Sequence, residues 1–298
     1  MFEQQAAASQ PRTLVIRNWN AGFFSNFNGV LNNLHHRLGR DGIQAAQVEW
    51  YVHPDLTHFS YGRRADGNLW PHFFEPLRFD FFPPEKVEVQ TYADLGMTWR
   101  HAYDMYKLDS DWRATYHALY RRHIKIAPRI IDRVEALHRA TMAGRYCVGV
   151  HYRHPDHVTE CPTGIPQLEE FIECVREQLP AGAASAVVLA TDVASAVARF
   201  REVFGDALVV QPGVNRAETL DSGQFHHANG DSSTALGEQV LIDCLLLARC
   251  DALVHITSNI ATAAGYINPA LKMIYCEPTL DGGVPAHTTG HQDRAPAS

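Results

Sequence analysis

EQVLIDCLLLARCDALVHITSNIATAAGYI, residues 238 to 267, reads as helix, strand and helix in succession. The apolar run that ends at Cys250 is too long for a strand, whereas ALVHITS is short and rich in β-branched residues. Ser258 and Asn259 stand where the cap of the next helix belongs. Working outward, the same alternation starts at Arg145. YCVGVHY reads as a buried strand, PQLEEFIECVREQL as a helix with Pro166 near its start, AVVLATD as a strand and ASAVARFREVF as a helix. ALVVQP and, at the far end, LKMIYCE add further strands. Continuously apolar strands separated by helices predict a parallel sheet covered on both faces, a doubly wound α/β domain.

Upstream the pattern is less regular. TLVIRNW (13–19) is a short strand, NAGFFSNFNG (20–29) a polar loop and VLNNLHHRL (30–38) an amphipathic helix. QAAQVEWYV (44–52) makes a second strand. Residues 53 to 90, dense in Pro, Phe and His, show no clean period, and FFEPLRFDFFPP within them suits a core or interface better than a sugar-stacking surface. Residues 98 to 143 are helical in character up to Gly144, with Pro128 as a break or a helix start. The expected organisation is a flexible terminus (1–12), an N-terminal α/β domain (13–143), a doubly wound C-terminal domain (144–278) and a loose tail (279–298).

Composition narrows the function. A formal charge of -7 argues against a general binder of nucleic acid or of anionic membranes, which usually needs a positive face. The six cysteines, Cys147, Cys161, Cys174, Cys244, Cys250 and Cys276, form no CxxC pair and read as reduced, buried thiols. MFEQQAAASQPR lacks a basic segment followed by an apolar one, and no run reaches about 18 uninterrupted apolar residues, so a soluble, cytoplasmic protein without membrane insertion is expected.

In open parallel sheets, ligands bind beyond the carboxyl ends of the strands. Those ends carry His151, Arg153, His154 and Asp156 on one strand, Thr191 and Asp192 on another, and Thr257, Ser258 and Asn259 on a third. An arginine, carboxylates and small hydroxyls suit a nucleotide with its phosphates, because a guanidinium fork matches phosphate oxygens and stays charged. Each residue also has a plainer reading. Arg153 alone would be a surface residue, Asp192 a helix cap, and Ser258 with Asn259 the cap of the next helix, whose N-terminus is itself attractive to anions. Asp243 lies inside an apolar helix, so it is either paired with a base such as Arg249, exposed on a polar side, or accepting hydrogen bonds from a nucleobase edge. His151 and His154 form an HxxH with no third ligand nearby, a weak metal signal. The long polar loop 214–234 is of a length usually functional or disordered.

GVHYRHPDH (149–157), IPQLEEF, VVLATD and the opening stretch, in that order over residues 146 to 270, resemble the nucleotide-binding half of the α-1,6-fucosyltransferases, including the rhizobial nodulation type, and more distantly the protein O-fucosyltransferases. The resemblance implies a GT-B-like fold of two Rossmann-like α/β domains and a metal-independent, inverting transfer of fucose from GDP-fucose to a hydroxyl acceptor, with no further cofactor. It places Arg153 on the β-phosphate, His151 near the guanine or diphosphate, and Asp243 on the guanine amino and imino groups, with Asp192, Ser258 and Asn259 lining the nucleotide. His154 stands where the human-type enzymes have a second arginine, which makes phosphate binding pH-sensitive. The acceptor hydroxyl needs a base or a hydrogen-bond acceptor, for which the candidates are Asn26 or an N-terminal carboxylate such as Asp55 or Glu75, unless a strongly dissociative transfer needs no base. The competing readings are a metal-dependent hydrolase and a catalytically silent binder of sugar nucleotides or glycans.

Overall fold

The computed structural model describes residues 10–53, 59, 61–91, 110–153, 166–214, 216, 233–277, 279–280 and 284–285. Its first sheet is parallel and three-stranded, in the order β2-β1-β3, from β1 (Arg12–Arg17), β2 (Ile43–Glu49) and β3 (Glu85–Gln90). Helix α1 (Phe23–Arg37) connects the first two strands. It begins well before the expected position and absorbs most of the segment read as a loop. Phe23, Phe27, Val30, Leu31 and Leu34 recur at three-to-four spacing and are at most 1% exposed, so burial of this face drives the helix. The asparagines that looked like loop residues, Asn26, Asn28, Asn32 and Asn33, are buried too. Strand β3 fell in the region without a readable period because its residues are mostly exposed, with only Val87 and Val89 turned partly inward.

Among the described residues, the N-terminal half adds α2 (Trp70–Phe73), ahead of β3, and then α3 (Ser110–His123) and α4 (Pro128–Thr141), with Pro128 in the first turn of α4. The aromatic segment divides: Phe73 and Phe74 are buried, whereas Phe81 and Phe82 are exposed.

The second sheet is built from β4 (Tyr146–His151), β5 (Ser185–Ala190), β6 (Leu208–Val209), β7 (Ala252–His255) and β8 (Lys272–Tyr275). All neighbours are parallel and the order is β6-β5-β4-β7-β8. Helices α5 (Leu168–Gln178) and α6 (Ala194–Phe204) cover one face through Phe171, Ile172, Val175 and Phe200, packed on Val148, Val150, Val187 and Leu189. Helices α7 (Thr234–Leu247) and α8 (Asn259–Ile267) cover the other. This is the doubly wound α/β arrangement expected from the alternation. Gly149 sits where α7 comes closest: a Cβ there would lie 3.0 Å from Leu247 Cδ2. Within the segment expected as a loose tail, Thr279–Leu280 and Val284–Pro285 pair antiparallel.

Helix α7 is apolar over most of its surface because it is also covered from outside the sheet. Glu238 at its start receives Arg129 and Arg133 of α4, the latter at 2.9 Å. Helix α3 docks on α8, where the Tyr116 and Tyr266 rings stack at 4.5 Å and Arg113 Nη1 donates to Leu271 O at 2.7 Å. The Tyr116 hydroxyl in turn donates to Asn32 Oδ1 of α1 at 2.7 Å. One apolar cluster therefore runs from the first sheet through α1, α7 and α8 to the second. Among the described residues, no helix is long and apolar enough to cross a membrane.

Candidate functional site

Strand order sets the location. From β4 the chain crosses to α5 on one face, and from β7, its neighbour in the sheet, to α8 on the other. Adjacent strands whose connections leave in opposite directions open a crevice beyond their carboxyl ends, where α/β proteins bind ligands. His151 ends β4, with Tyr152 and Arg153 directly after it; Thr257 and Ser258 follow β7.

The crevice floor is closely bonded. Ser258 is 1% exposed and caps α8, its Oγ accepting the Ala261 N–H at 3.2 Å while lying 2.9 Å from His151 Nδ1. Thr257 Oγ1 is 3.1 Å from the Tyr275 hydroxyl at the end of β8. Thr257 and Ser258, expected to line a nucleotide, are thus buried and bind strand ends to one another. Asn259 is reached from the other half of the chain: Asn28 Nδ2 of α1 donates to its O at 3.0 Å and to its Oδ1 at 3.2 Å.

The charges of Arg153 and Asp192 both act on Tyr61. This tyrosine, 4% exposed, accepts a hydrogen bond from the Phe23 backbone N–H at the start of α1. Burial raises its hydroxyl pKa; the Phe23 N–H and the Arg153 guanidinium oppose that rise and Asp192 adds to it. Asp192 also acts on Tyr152, whose pKa burial raises in the first place. The arginine and the carboxylate at two neighbouring strand ends therefore act, with opposite sign, on a tyrosine held by the start of α1.

A second group lies beyond β5 and β6. Gln211 Nε2 donates to Asp243 Oδ1 at 2.8 Å and to Gln239 O at 2.9 Å. Arg249, the expected partner of Asp243, pairs instead with Glu135. Arg216 donates from Nε to Thr191 O at 3.2 Å and from Nη2 to Gln211 O at 3.4 Å. Burial pushes the Asp243 carboxyl up to about 7, with the Gln211 hydrogen bond and the Arg216 charge holding it down. Burial lowers the Arg216 pKa, and the charges of Asp243 and Asp192 oppose that fall. Asp243 is thus a carboxyl poised between its two forms near neutrality.

Asn26 is enclosed. It is 0% exposed, its Oδ1 accepting from the Trp19 N–H at 2.6 Å and the Thr91 hydroxyl at 2.6 Å, and its Nδ2 donating to Ala21 O at 2.9 Å. Its side chain closes the turn from β1 into α1. Glu75 is held by Lys125 at 2.6 Å. His154, Asp55, Asp156 and Cys161 lie outside the described residues. His255, the remaining histidine of this sheet, is buried and donates from Nδ1 to Ile256 O at 3.0 Å, and its pKa is lowered to about 4 by burial. Among the described residues, no group of three His, Cys, Asp or Glu side chains converges as metal ligands would.

Sequence reasoning missed Asn28, Tyr61, Gln211 and Arg216. Gln211 was within reach, because it ends an apolar run as Asp192 does. Tyr61 and Arg216 carry no local signal: one lies in the aperiodic region, the other in the long polar loop.

No protein-family model matches the chain, and no curated protein sequence does. Among solved structures it is similar to the NodZ α-1,6-fucosyltransferase co-crystallised with GDP, with a TM-score of 0.57, 19% identity and coverage of 88% of this chain and 94% of that one. The NodZ α-1,6-fucosyltransferase soaked with GDP-fucose gives a TM-score of 0.57 at 18% identity, over 93% of this chain and 98% of that one. The fucosyltransferase NodZ from Bradyrhizobium gives a TM-score of 0.57 at 19% identity, over 88% and 94%. The chain shares the α/β fold of these proteins along most of its length, as the resemblance in the sequence implied.

Proposed function

We propose that the protein is a glycosyltransferase that moves fucose from GDP-fucose to a hydroxyl acceptor, with inversion at the sugar carbon and without a metal ion. The observation that carries the reading is the placing of Arg153 beside the crevice between β4 and β7, in a fold shared with fucosyltransferases solved with GDP and GDP-fucose. Fold alone does not fix chemistry. The side chains make the chemistry specific.

Cleavage of the sugar–diphosphate bond leaves negative charge on the β-phosphate. Arg153 supplies a permanent positive charge there, and the N-terminus of α8 adds partial positive charge from its backbone N–H groups. At the other end of the donor, ionised Asp243, steadied by Gln211, accepts the imino and amino N–H groups of guanine; adenine and uracil do not present that pair of donors. Asp192 and His151 complete the donor side. In this reading residues 144–278 hold the donor and 13–143 the acceptor, with Tyr61 and α1 forming the wall between them. With Asn26 enclosed, a dissociative transition state accounts for transfer without it: the glycosidic bond to the β-phosphate breaks first, and the acceptor hydroxyl gives its proton to solvent after attack.

The test is thermal stabilisation by GDP, UDP and ADP, followed by GDP release from GDP-fucose. Saturation at about 100 times the dissociation constant adds about 2.7 kcal/mol of stability. GDP is expected to stabilise and UDP not to; the reverse would overturn the guanine assignment. Arg153→Ala should lower GDP release by about 10²- to 10³-fold, in line with the loss of other charge-stabilising donors. Full turnover in EDTA separates this reading from a metal-dependent hydrolase, and turnover of any kind separates it from a silent binder.

A further inference from the structure

The bond between His151 and Ser258 crosses the crevice floor, from the last residue of β4 to the cap of α8. Its proton has only one consistent position. Ser258 Oγ already accepts the Ala261 N–H at 3.2 Å, and the hydroxyl has a single proton to give. Among the described residues, the acceptor within its reach is His151 Nδ1 at 2.9 Å. Were Nδ1 itself protonated, Oγ would receive two N–H groups and its own proton would be stranded in a site 1% exposed. Nδ1 is therefore the acceptor, and the ring proton sits on Nε2.

We propose that Ser258 is a positioning residue that holds His151 as the neutral Nε2–H tautomer, so that the imidazole donates a hydrogen bond to the donor's diphosphate or ribose and does not act as a base. This rests on the reading of the crevice as the GDP-sugar site. It gives Ser258 a role its sequence position did not suggest. With the hydroxyl buried behind the imidazole, Ser258 acts on the ligand through His151. The same serine oxygen caps α8, so the helix that offers its N-terminus to the crevice and the histidine that offers a proton are fixed by one atom.

The experiment is two-bond ¹H–¹⁵N correlation of the histidine rings in the full chain, with the His151 signals assigned by His151→Gln. Wild type is expected to show an unprotonated Nδ1 and a protonated Nε2. Ser258→Ala should move both signals toward an average of the two tautomers, and Ser258→Thr should retain the wild-type pattern. GDP release from GDP-fucose should fall about tenfold in kcat for the Ala variant and return with Thr. Ser258→Asp, which still caps α8 but can only accept, should put the proton on Nδ1; it serves if the Ala variant does not fold. A protonated Nδ1 in wild type, or an Ala spectrum identical to wild type, would overturn the proposal. A protein that shows the expected tautomer but binds no GDP would sink the glycosyl-transfer reading and leave the tautomer assignment standing.

Discussion

Replacing Asp243 by Asn tests the proposed guanine-reading role of this carboxylate through its proton. The folded protein raises this carboxyl from 3.8 to about 7, which corresponds to roughly 4 kcal/mol of unfavourable ionisation. The sign follows directly. Between about pH 4 and pH 7 the unfolded chain has released this proton and the folded chain still holds it, so the group's contribution to stability is full below the unfolded value and is lost as pH rises through about 7. Guanine, by contrast, needs the ionised form. At pH 6 about a tenth of the carboxyl is ionised and at pH 8 about nine-tenths, so apparent GDP affinity should rise about tenfold across that range. Calorimetry in buffers of different ionisation heat should show proton release on binding at pH 6 to 7. Asp243→Asn keeps the acceptor for Gln211 Nε2 and removes the titration. It should bind GDP about 10- to 100-fold more weakly at pH 8, lose this part of the pH dependence, and become more stable relative to wild type as pH rises. The titration of GDP's own phosphate is common to both proteins and cancels in the comparison. Identical pH profiles for wild type and Asp243→Asn would refute the reasoning.

The other predictions concern the first half of the chain. Asn26→Ala strands the Trp19 N–H and the Thr91 hydroxyl in a buried turn, so stability should fall by roughly 3 kcal/mol in urea unfolding, while turnover per folded molecule stays within about twofold of wild type. A loss of turnover without a loss of stability would restore Asn26 as an acceptor-side residue. Gly29→Ala places a Cβ 2.6 Å from Thr91 Cβ and 2.8 Å from Thr91 O, so α1 must move off the strand end; a loss of about 1–3 kcal/mol is expected, read as a lowered melting temperature.

The C-terminal architecture was legible because each of its elements repeats one simple rule. Fully covered parallel strands are apolar throughout, and the helices between them are amphipathic or, for α7, buried on most sides. The start of α1 was misread for the converse reason. Its buried positions include Asn26, Asn28, Asn32 and Asn33, and an asparagine looks like a loop residue until its hydrogen-bond partners, such as Thr91 and Tyr116, are known. Strand β3 gave no signal because an exposed strand with two half-buried valines barely differs from a loop in composition.

The sequence by itself determined the strand ends: Arg153, Asp192, Ser258 and Asn259 follow apolar runs, and the register of a parallel sheet puts all such ends on one side. What only the tertiary structure decided was which side chains face the crevice and which are spent in holding it. Ser258 and Thr257 turned out to be buried behind the site, Asn26 to be locked in a turn, and Gln211, Arg216 and Tyr61 to stand beside the carboxylates and arginine. The physical reason is range. Hydrophobic periodicity is a local property that a chain carries within ten residues or so, whereas a hydrogen bond such as that between Ser258 and His151 joins groups 107 residues apart and exists only once the sheet has brought them together.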